Sequence, residues 1–476
     1  MTFTDDAHRV TDALAAYAAA ARERRCPVIL QEPLARLVED LQLERLVVEG
    51  GLTGERLSRF MDRYLSATTR LLHPRYLAHQ VAVSHPSGAL ASLVDGFTNN
   101  AMAIYEMGPP AAAIEFFLIN RLLSAVGWRQ ATTGSSPAGT APSGGGVLTH
   151  GGSLANLTAL VAARTRIAPE VWRDGNPGDL AVMAPAEAHY SVARAVGILG
   201  MGSRSVYPLA SDENGVVMPD RLPEILRRIR SEGRRVVALV ANACSTAAGL
   251  YDPLAEIGSF CRGNDIWFHV DGAHGAAALL SERYRHLLEG VEQADSLTWD
   301  AHKLMRTPTL CAALLVRDGR NLDNAFQQEA SYIFHDKNQP GVDFIHRTVE
   351  CTKAGLGLKW FAVLSSMGER GVASYVESRF DLARKAYRYL QGLPEFECPA
   401  VPEANILCFR LNGDDRRQLA VRDRLIADGD FYISTSVFRG RRHLRLVFMN
   451  PDTDMDDVRA LADRIRQLLS DGGADR

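Results

Sequence analysis

Between residues 179 and 316, short apolar runs alternate with segments whose apolar positions recur every three or four residues. The runs are DLAVMAP (179–185), SVYPLA (205–210), VVALVANA (236–243), IWFHVDGAH (266–274), DSLTWD (295–300) and LCAALLV (310–316). Apolar residues on consecutive rather than alternate positions predict strands buried on both faces, and hence a largely parallel sheet covered by helices. The segments DRLPEILRRIRSEG and DPLAEIGSFCRGN supply helical patterns between them. This strand–helix alternation is that of an α/β fold, in which ligands bind beyond the carboxyl ends of the strands.

The flanks read differently. Residues 1 to about 100 are largely helical in pattern, broken at Pro27, Pro33, Pro74 and Pro86. The stretch 131–146, ATTGSSPAGTAPSGGG, predicts a loop. After about residue 352 a helical run, ASYVESRFDLARKAYRYLQGL, precedes NILCFRL, FYISTSVF and HLRLVFMN and a terminal helix from about Thr453, which is a small α+β pattern. A chain of 476 residues exceeds one ordinary core. The reading is therefore a helical N-terminal segment (1–100), a large α/β domain (101–352) and a small α+β domain (353–476).

Composition narrows the function classes. Hydrophobic residues make up 46% and charged residues 23%, and the net charge of −3 is spread with both signs mixed. That excludes the basic footprint of a nucleic-acid binder. The start opens acidic, without the basic-then-apolar order of a secretory signal. No uncharged apolar stretch of about 18 residues predicts a membrane span. Seven scattered cysteines, none in a CxxC pair, read as small buried hydrophobes in a reducing, cytoplasmic protein, and no metal is expected. A nucleotide-binding dehydrogenase would need GxGxxG straight after a first strand, and the sequence has none there.

Four segments carry the candidate chemistry. In TWDAHKLMRTP (298–308), Lys303 follows a strand directly and stands beside His302. A lysine that is to form an imine needs such a partly desolvated strand end. In HVDGAHG (269–275), Asp271 closes a strand and is followed by small residues, so its carboxylate can pair with a pyridinium nitrogen. In LTHGGSLANLTAL (148–160), Gly151, Gly152 and Ser153 lead into a helical pattern and can offer N–H groups and a hydroxyl to an anion. Thr246, in NACSTAAGLYDP, can complete that cup. His189 follows the strand DLAVMAP and can lie on a flat ring and handle protons near neutrality. Each has an ordinary reading when taken alone: a surface lysine, a helix-capping aspartate, a plain helix start, a turn hydroxyl, a capping histidine. Together they point to pyridoxal 5'-phosphate.

These segments resemble the group II pyridoxal-phosphate-dependent amino-acid decarboxylases, which include the glutamate, aromatic-amino-acid, cysteine-sulfinate and diaminobutyrate enzymes. The resemblance runs from HPRYLAHQ (73–80) to HLRLVFMNP (443–451). It implies the fold-type I transferase architecture, with a mostly parallel sheet of the seven-stranded type flanked by helices. It implies Lys303 as the imine lysine, Asp271 at the pyridinium, His189 on the ring, and Gly152, Ser153, Thr246 and His302 around the phosphate. Arg445 matches a family arginine that holds the substrate carboxylate, though a rim arginine on a strand is the plainer reading. His79, with Gln80 and Asn99, is a further pocket candidate. The resemblance also implies a homodimer with active sites at the interface and the N-terminal segment wrapped around the partner.

The implied reaction is decarboxylation of an L-amino acid to the amine and carbon dioxide, through an external aldimine and a quinonoid. An aliphatic or small polar side chain is favoured. One departure bears on the last step, protonation of Cα. The family usually carries a tyrosine on a loop after the lysine; the corresponding stretch here, IFHDKNQPGVDFIHRTV (333–349), contains none. Tyr332 just before it, or His335 or His346 within it, is left to donate the proton. Alternatively the carbanion is diverted to oxidative deamination or carbon–carbon bond formation. A second departure is His274, where the glutamate and aromatic branches often have an aromatic residue.

Overall fold

The computed structural model describes residues 2–132, 142–326 and 341–471. Where the sequence suggested three segments, the contacts group the chain into two compact units. One comprises Gln80–Asp381 with Pro402–Ala404; the other comprises residues up to His79, Leu382–Val401 and Asn405 onward.

The larger unit is built on seven strands: β1 (Gly145–Thr149), β2 (Leu180–Pro185), β3 (Val206–Leu209), β4 (Arg235–Asn242), β5 (Trp267–Asp271), β6 (Ser296–Asp300) and β7 (Ala312–Val316). Their order across the sheet is β1-β7-β6-β5-β4-β2-β3. Every pairing is parallel except those of β7, which runs against both β1 and β6. All residues of β1, β2, β5, β6 and β7 are buried, the physical reason their sequences are apolar without alternation. β1 was not foreseen. Its sequence, GGVLT, opens with the last two glycines of the predicted loop.

The helix Pro109–Val126 is the one described helix long and apolar enough to cross a membrane, with a mean hydropathy of 1.2 over 18 residues. It packs against β1 and β7 and carries Glu115, fully buried and paired with the equally buried Lys353. Burial pushes the Glu115 carboxyl up, against the pull of Lys353. The other Glu115 oxygen accepts the N–H of Leu148 at 2.8 Å, so the pair closes the outer edge of β1. Removing one partner of such a pair typically costs about 3–5 kcal/mol. The strand leading to the glycine turn is thereby fixed.

The smaller unit holds the antiparallel strands β8 (Phe396–Glu397), β9 (Ile406–Leu411), β10 (Ser434–Phe438) and β11 (Arg441–Val447), in the order β10-β11-β9-β8. Helices Asp415–Asp428 and Met455–Ser470 contribute to its apolar core. The N-terminal helices Phe3–Arg22 and Gly54–Ala67 belong to this unit. Arg24 grips Asp457 of the terminal helix through two hydrogen bonds of 3.1 and 3.0 Å.

Candidate active site

β1, β2, β4, β5 and β6 run the same way, and the segments leaving their carboxyl ends enclose a cavity of about 210 Å³. Gly152, Ser153, His189, Thr246, Asp271, His302 and Lys303 all line it. Residues between 152 and 303 in sequence are thus gathered where an α/β sheet places its ligands.

Backbone geometry explains the glycine turn. Gly151 has φ +97°, which side chains disfavour, and a Cβ on Gly152 would meet Asp300 Oδ1 at 2.7 Å. Gly151 brings no side chain to cap the helix Gly152–Ile167. The first amides of that helix are therefore suited to an external anion.

A buried polar network fixes Asp271. Asn156 donates through Nδ2 to Asp271 Oδ2 at 2.8 Å and to Ser191 Oγ at 2.9 Å. Its Oδ1 accepts from Thr298 Oγ1 at 2.7 Å and His269 Nε2 at 3.1 Å. All four hydrogen-bonding positions of the amide are used, which settles its orientation. Ser296 Oγ accepts from Trp267 Nε1 and donates to His269 Nδ1, both at 2.8 Å. Burial holds His269 neutral, well below the usual histidine range. The second Asp271 oxygen accepts the N–H of Ala273 at 3.2 Å.

Ser191 links the same network to His189. Its hydroxyl accepts from Asn156 and lies 2.7 Å from His189 Nδ1; the Ser191 backbone N–H donates to that same nitrogen at 3.3 Å, which leaves the ring proton on Nε2. Burial lowers the pKa of His189, against the upward pull of Asp271, so the ring is neutral near pH 7.

Lys303 follows β6, its side chain 18% exposed, with Nζ 3.4 Å from Asp300 Oδ2. His302 Nε2 lies 3.6 Å from the same oxygen, and its Nδ1 is 2.8 Å from the Cys311 carbonyl oxygen.

Asn156, Asp300, Asn242 and His150 line the cavity without having been singled out in the sequence. Asn156 had no local signal, because its partners lie far along the chain. Asp300 had one, a carboxylate three residues before the lysine. The Asn242 amide nitrogen is buried without a hydrogen-bond partner among the described residues. His150 Nδ1 pairs with Glu350, whose other oxygen accepts from Thr348 Oγ1 at 3.3 Å. His274 also lines the cavity.

Arg445 and His79 belong to the smaller unit. There Arg445 Nη1 donates to the Ala78 carbonyl at 3.2 Å and to Ser434 Oγ at 3.3 Å. His79 Nε2 is 3.1 Å from the Tyr432 hydroxyl. Asn99 closes the helix Pro86–Thr98 in the left-handed conformation. His346 lies in the short turn Phe344–Arg347. Tyr332 and His335 lie outside the described residues.

The donor set fits a phosphorylated pyridine. An uncapped helix start faces the cavity at the glycine turn, a carboxylate is held by two N–H donors, and a half-buried primary amine stands at a strand end. The buried amide of Asn242 adds a donor with its bonding capacity unspent.

Comparison with known proteins agrees with this chemistry. The family model for the pyridoxal-dependent decarboxylase conserved domain matches residues 62–412. The acidic amino acid decarboxylase of Mus musculus is 25% identical over 461 residues, covering 92% of this chain and 81% of that protein. The L-2,4-diaminobutyrate decarboxylase of Acinetobacter baumannii is 27% identical over 455 residues, covering 89% and 87%. The crystal structure of mouse cysteine sulfinic acid decarboxylase superposes with a TM-score of 0.87 at 24% identity, covering 98% of both chains.

Proposed function

The chain belongs to the pyridoxal-dependent decarboxylase family and is a pyridoxal-phosphate-dependent amino-acid decarboxylase; from that premise we propose that it converts an L-amino acid with an aliphatic or small polar side chain to the amine and carbon dioxide. The observation that carries this reading is the shared cavity of Lys303, Asp271 and the glycine turn. Lys303 would hold the cofactor covalently. Gly152, Ser153, Thr246 and His302 would hold its phosphate, Asp271 its ring nitrogen and His189 its ring face. When bound, the cofactor would supply a sink for the electron pair of the Cα–carboxylate bond. Asp271 would pair with the ring nitrogen, and the Asn156 network holds that carboxylate still. His189 is neutral with its proton on Nε2, so it can stack without adding charge. Cα must then gain a proton. Tyr332, His335 and His346 are candidates from the sequence, and His150, braced by Glu350, joins them. Arg445 and His79 remain candidates for holding the substrate.

The names of the relatives include both an acidic and a diamino substrate. The cavity that would hold the cofactor does not decide between them. The test is a panel of L-amino acids with carbon dioxide, amine, ammonia, aldehyde and peroxide all quantified, with and without oxygen. Equal yields of carbon dioxide and amine, greatest for small aliphatic or polar side chains, are expected. Transamination without gas release would overturn the assignment.

The same reading includes a homodimer. Leu90, Leu93, Val94 and Phe97 form a stripe on the helix Pro86–Thr98 and are 49–69% exposed. Leu34, Val47 and Val48 of the N-terminal segment are 79–85% exposed. Patches of this kind on one chain suit burial by a second copy. Sedimentation velocity of the purified chain should give twice the 52.1 kDa chain mass; a monomer across the micromolar range contradicts it. The seven free thiols suit a reducing, cytoplasmic setting.

A further inference from the structure

We propose that His150 is a catalytic residue, the one that delivers the proton to Cα, and that Glu350 is the residue that positions it. This rests on the decarboxylase reading above and decides among the proton donors that reading leaves open.

A group that protonates Cα has to reach the space beside Lys303, carry its proton on an atom no other group holds, and regain it from solvent after each turnover. Four histidines line the cavity: His150, His189, His274 and His302. His302 spends Nδ1 on the Cys311 carbonyl, has Nε2 beside Asp300, and its side chain is only 11% exposed. His274 is 3% exposed, out of reach of solvent. His189 is given to the ring face. His346 does not line the cavity.

His150 satisfies all three conditions. It leaves β1 directly and stands one residue before the glycine turn, where a Cβ on Gly151 would lie 4.0 Å from His302 Cε1, on the neighbour of Lys303. Its side chain is 36% exposed, the solvent path a recycled proton needs. Glu350 Oε1 lies 2.5 Å from its Nδ1, while Nε2 has no hydrogen-bond partner among the described residues. Glu350 does not line the cavity, so the Nδ1 edge of the ring is turned away from it and the Nε2 edge is the one presented. Glu350 is itself fixed: Thr348, 1% exposed, donates from Oγ1 to its Oε2 and accepts its backbone N–H, both at 3.3 Å. A carboxylate only accepts, so Nδ1 carries a proton and Nε2 is the atom that gains and loses one. A histidine held by a carboxylate on one nitrogen and open on the other is a general acid and base in a single tautomer.

The transfer balances with no further reactant. The electron pair left at Cα as carbon dioxide departs takes the Nε2 proton; the Nε2–H bond breaks and the Cα–H bond forms. The imidazolium becomes a neutral ring with its remaining proton on Nδ1 against Glu350. Solvent returns a proton to Nε2 before the next turnover.

Two measurements on the full-length chain test this. The first needs no cofactor: in the apoenzyme labelled with ¹⁵N-histidine, the signal missing from His150→Gln identifies His150, and it should show a proton on Nδ1. Glu350→Gln should move that signal toward the Nε2–H tautomer. A wild-type ring with Nδ1 bare would overturn the proposal. The second follows carbon dioxide and amine separately in a single turnover of the best substrate from the amino-acid panel. His150→Gln should keep the visible band and the wild-type rate of carbon dioxide release, while amine formation slows about 10²–10³-fold. Glu350→Gln should slow amine formation about tenfold or more with the same split. A merely structural role would slow both products together, and that result, or unchanged amine formation, overturns the proposal. If His150→Gln fails to fold, Glu350→Gln decides by the same split. Absence of a visible band, or of carbon dioxide from any amino acid with the wild type, would instead sink the decarboxylase reading itself.

Discussion

Lys303→Ala should lose the visible absorption band of the purified enzyme and lower turnover about 10⁴-fold or more, while the circular dichroism spectrum stays that of the wild type. A side chain that forms a covalent bond with the cofactor cannot be replaced by positioning alone, and losses of this scale accompany removal of covalent catalytic groups. The fold should survive because Lys303 lines the cavity instead of packing in the apolar core. Its side chain is 18% exposed, and its recorded ion pair is to Asp300. Losing that partner leaves Asp300 with His302 Nε2 3.6 Å away, and the carboxyl can take a proton instead of remaining an unpaired buried charge. Absorbance at saturating pyridoxal phosphate, read beside a turnover assay, checks both halves. A retained band would move the covalent attachment to another lysine.

Much of the site was legible because the physics that shapes it is local. β2, β4, β5 and β6 are apolar runs because both faces are covered, and each ends within three residues of its predicted limit. Lys303, Asp271 and His189 stand out because each comes where such a run stops. What was not legible depends on distant partners. Asn156 looks like any polar residue in a helix, and its importance comes from residues 191, 269, 271 and 298. The Glu115–Lys353 pair spans 238 positions. The antiparallel course of β7 could not be read, since a strand buried on both faces has the same composition in either direction. β1 was hidden by its two leading glycines, and its neighbour His150 went unremarked beside the more conspicuous GGS. The Asp300 signal was present in WDAHK, but the carboxylate was counted as the end of a strand rather than as part of the cavity.

Asp271→Asn should behave in the opposite sense to the lysine variant, keeping the visible band but turning over about 10³-fold more slowly. The change removes one negative charge with almost no change in shape. Lys303 is intact, so the cofactor still attaches. What is lost is the fixed charge beside the ring nitrogen, and loss of one preorganised electrostatic partner is felt on the scale of about 10²–10³. The structure adds a second consequence. Both oxygens of Asp271 accept N–H groups, one from Asn156 and one from Ala273. An asparagine has a single oxygen to offer, so its NH₂ must face one of those donors. Asn156 cannot turn over to accommodate it without breaking its bonds to Thr298 and His269. A stability loss of about 1–3 kcal/mol is therefore expected, the usual cost of a buried donor left unmatched, and thermal unfolding of the apoenzyme measures it. The two readouts separate the roles: lower stability with unchanged turnover would leave Asp271 as a member of the Asn156 network alone, and the pyridinium assignment would have to be given up.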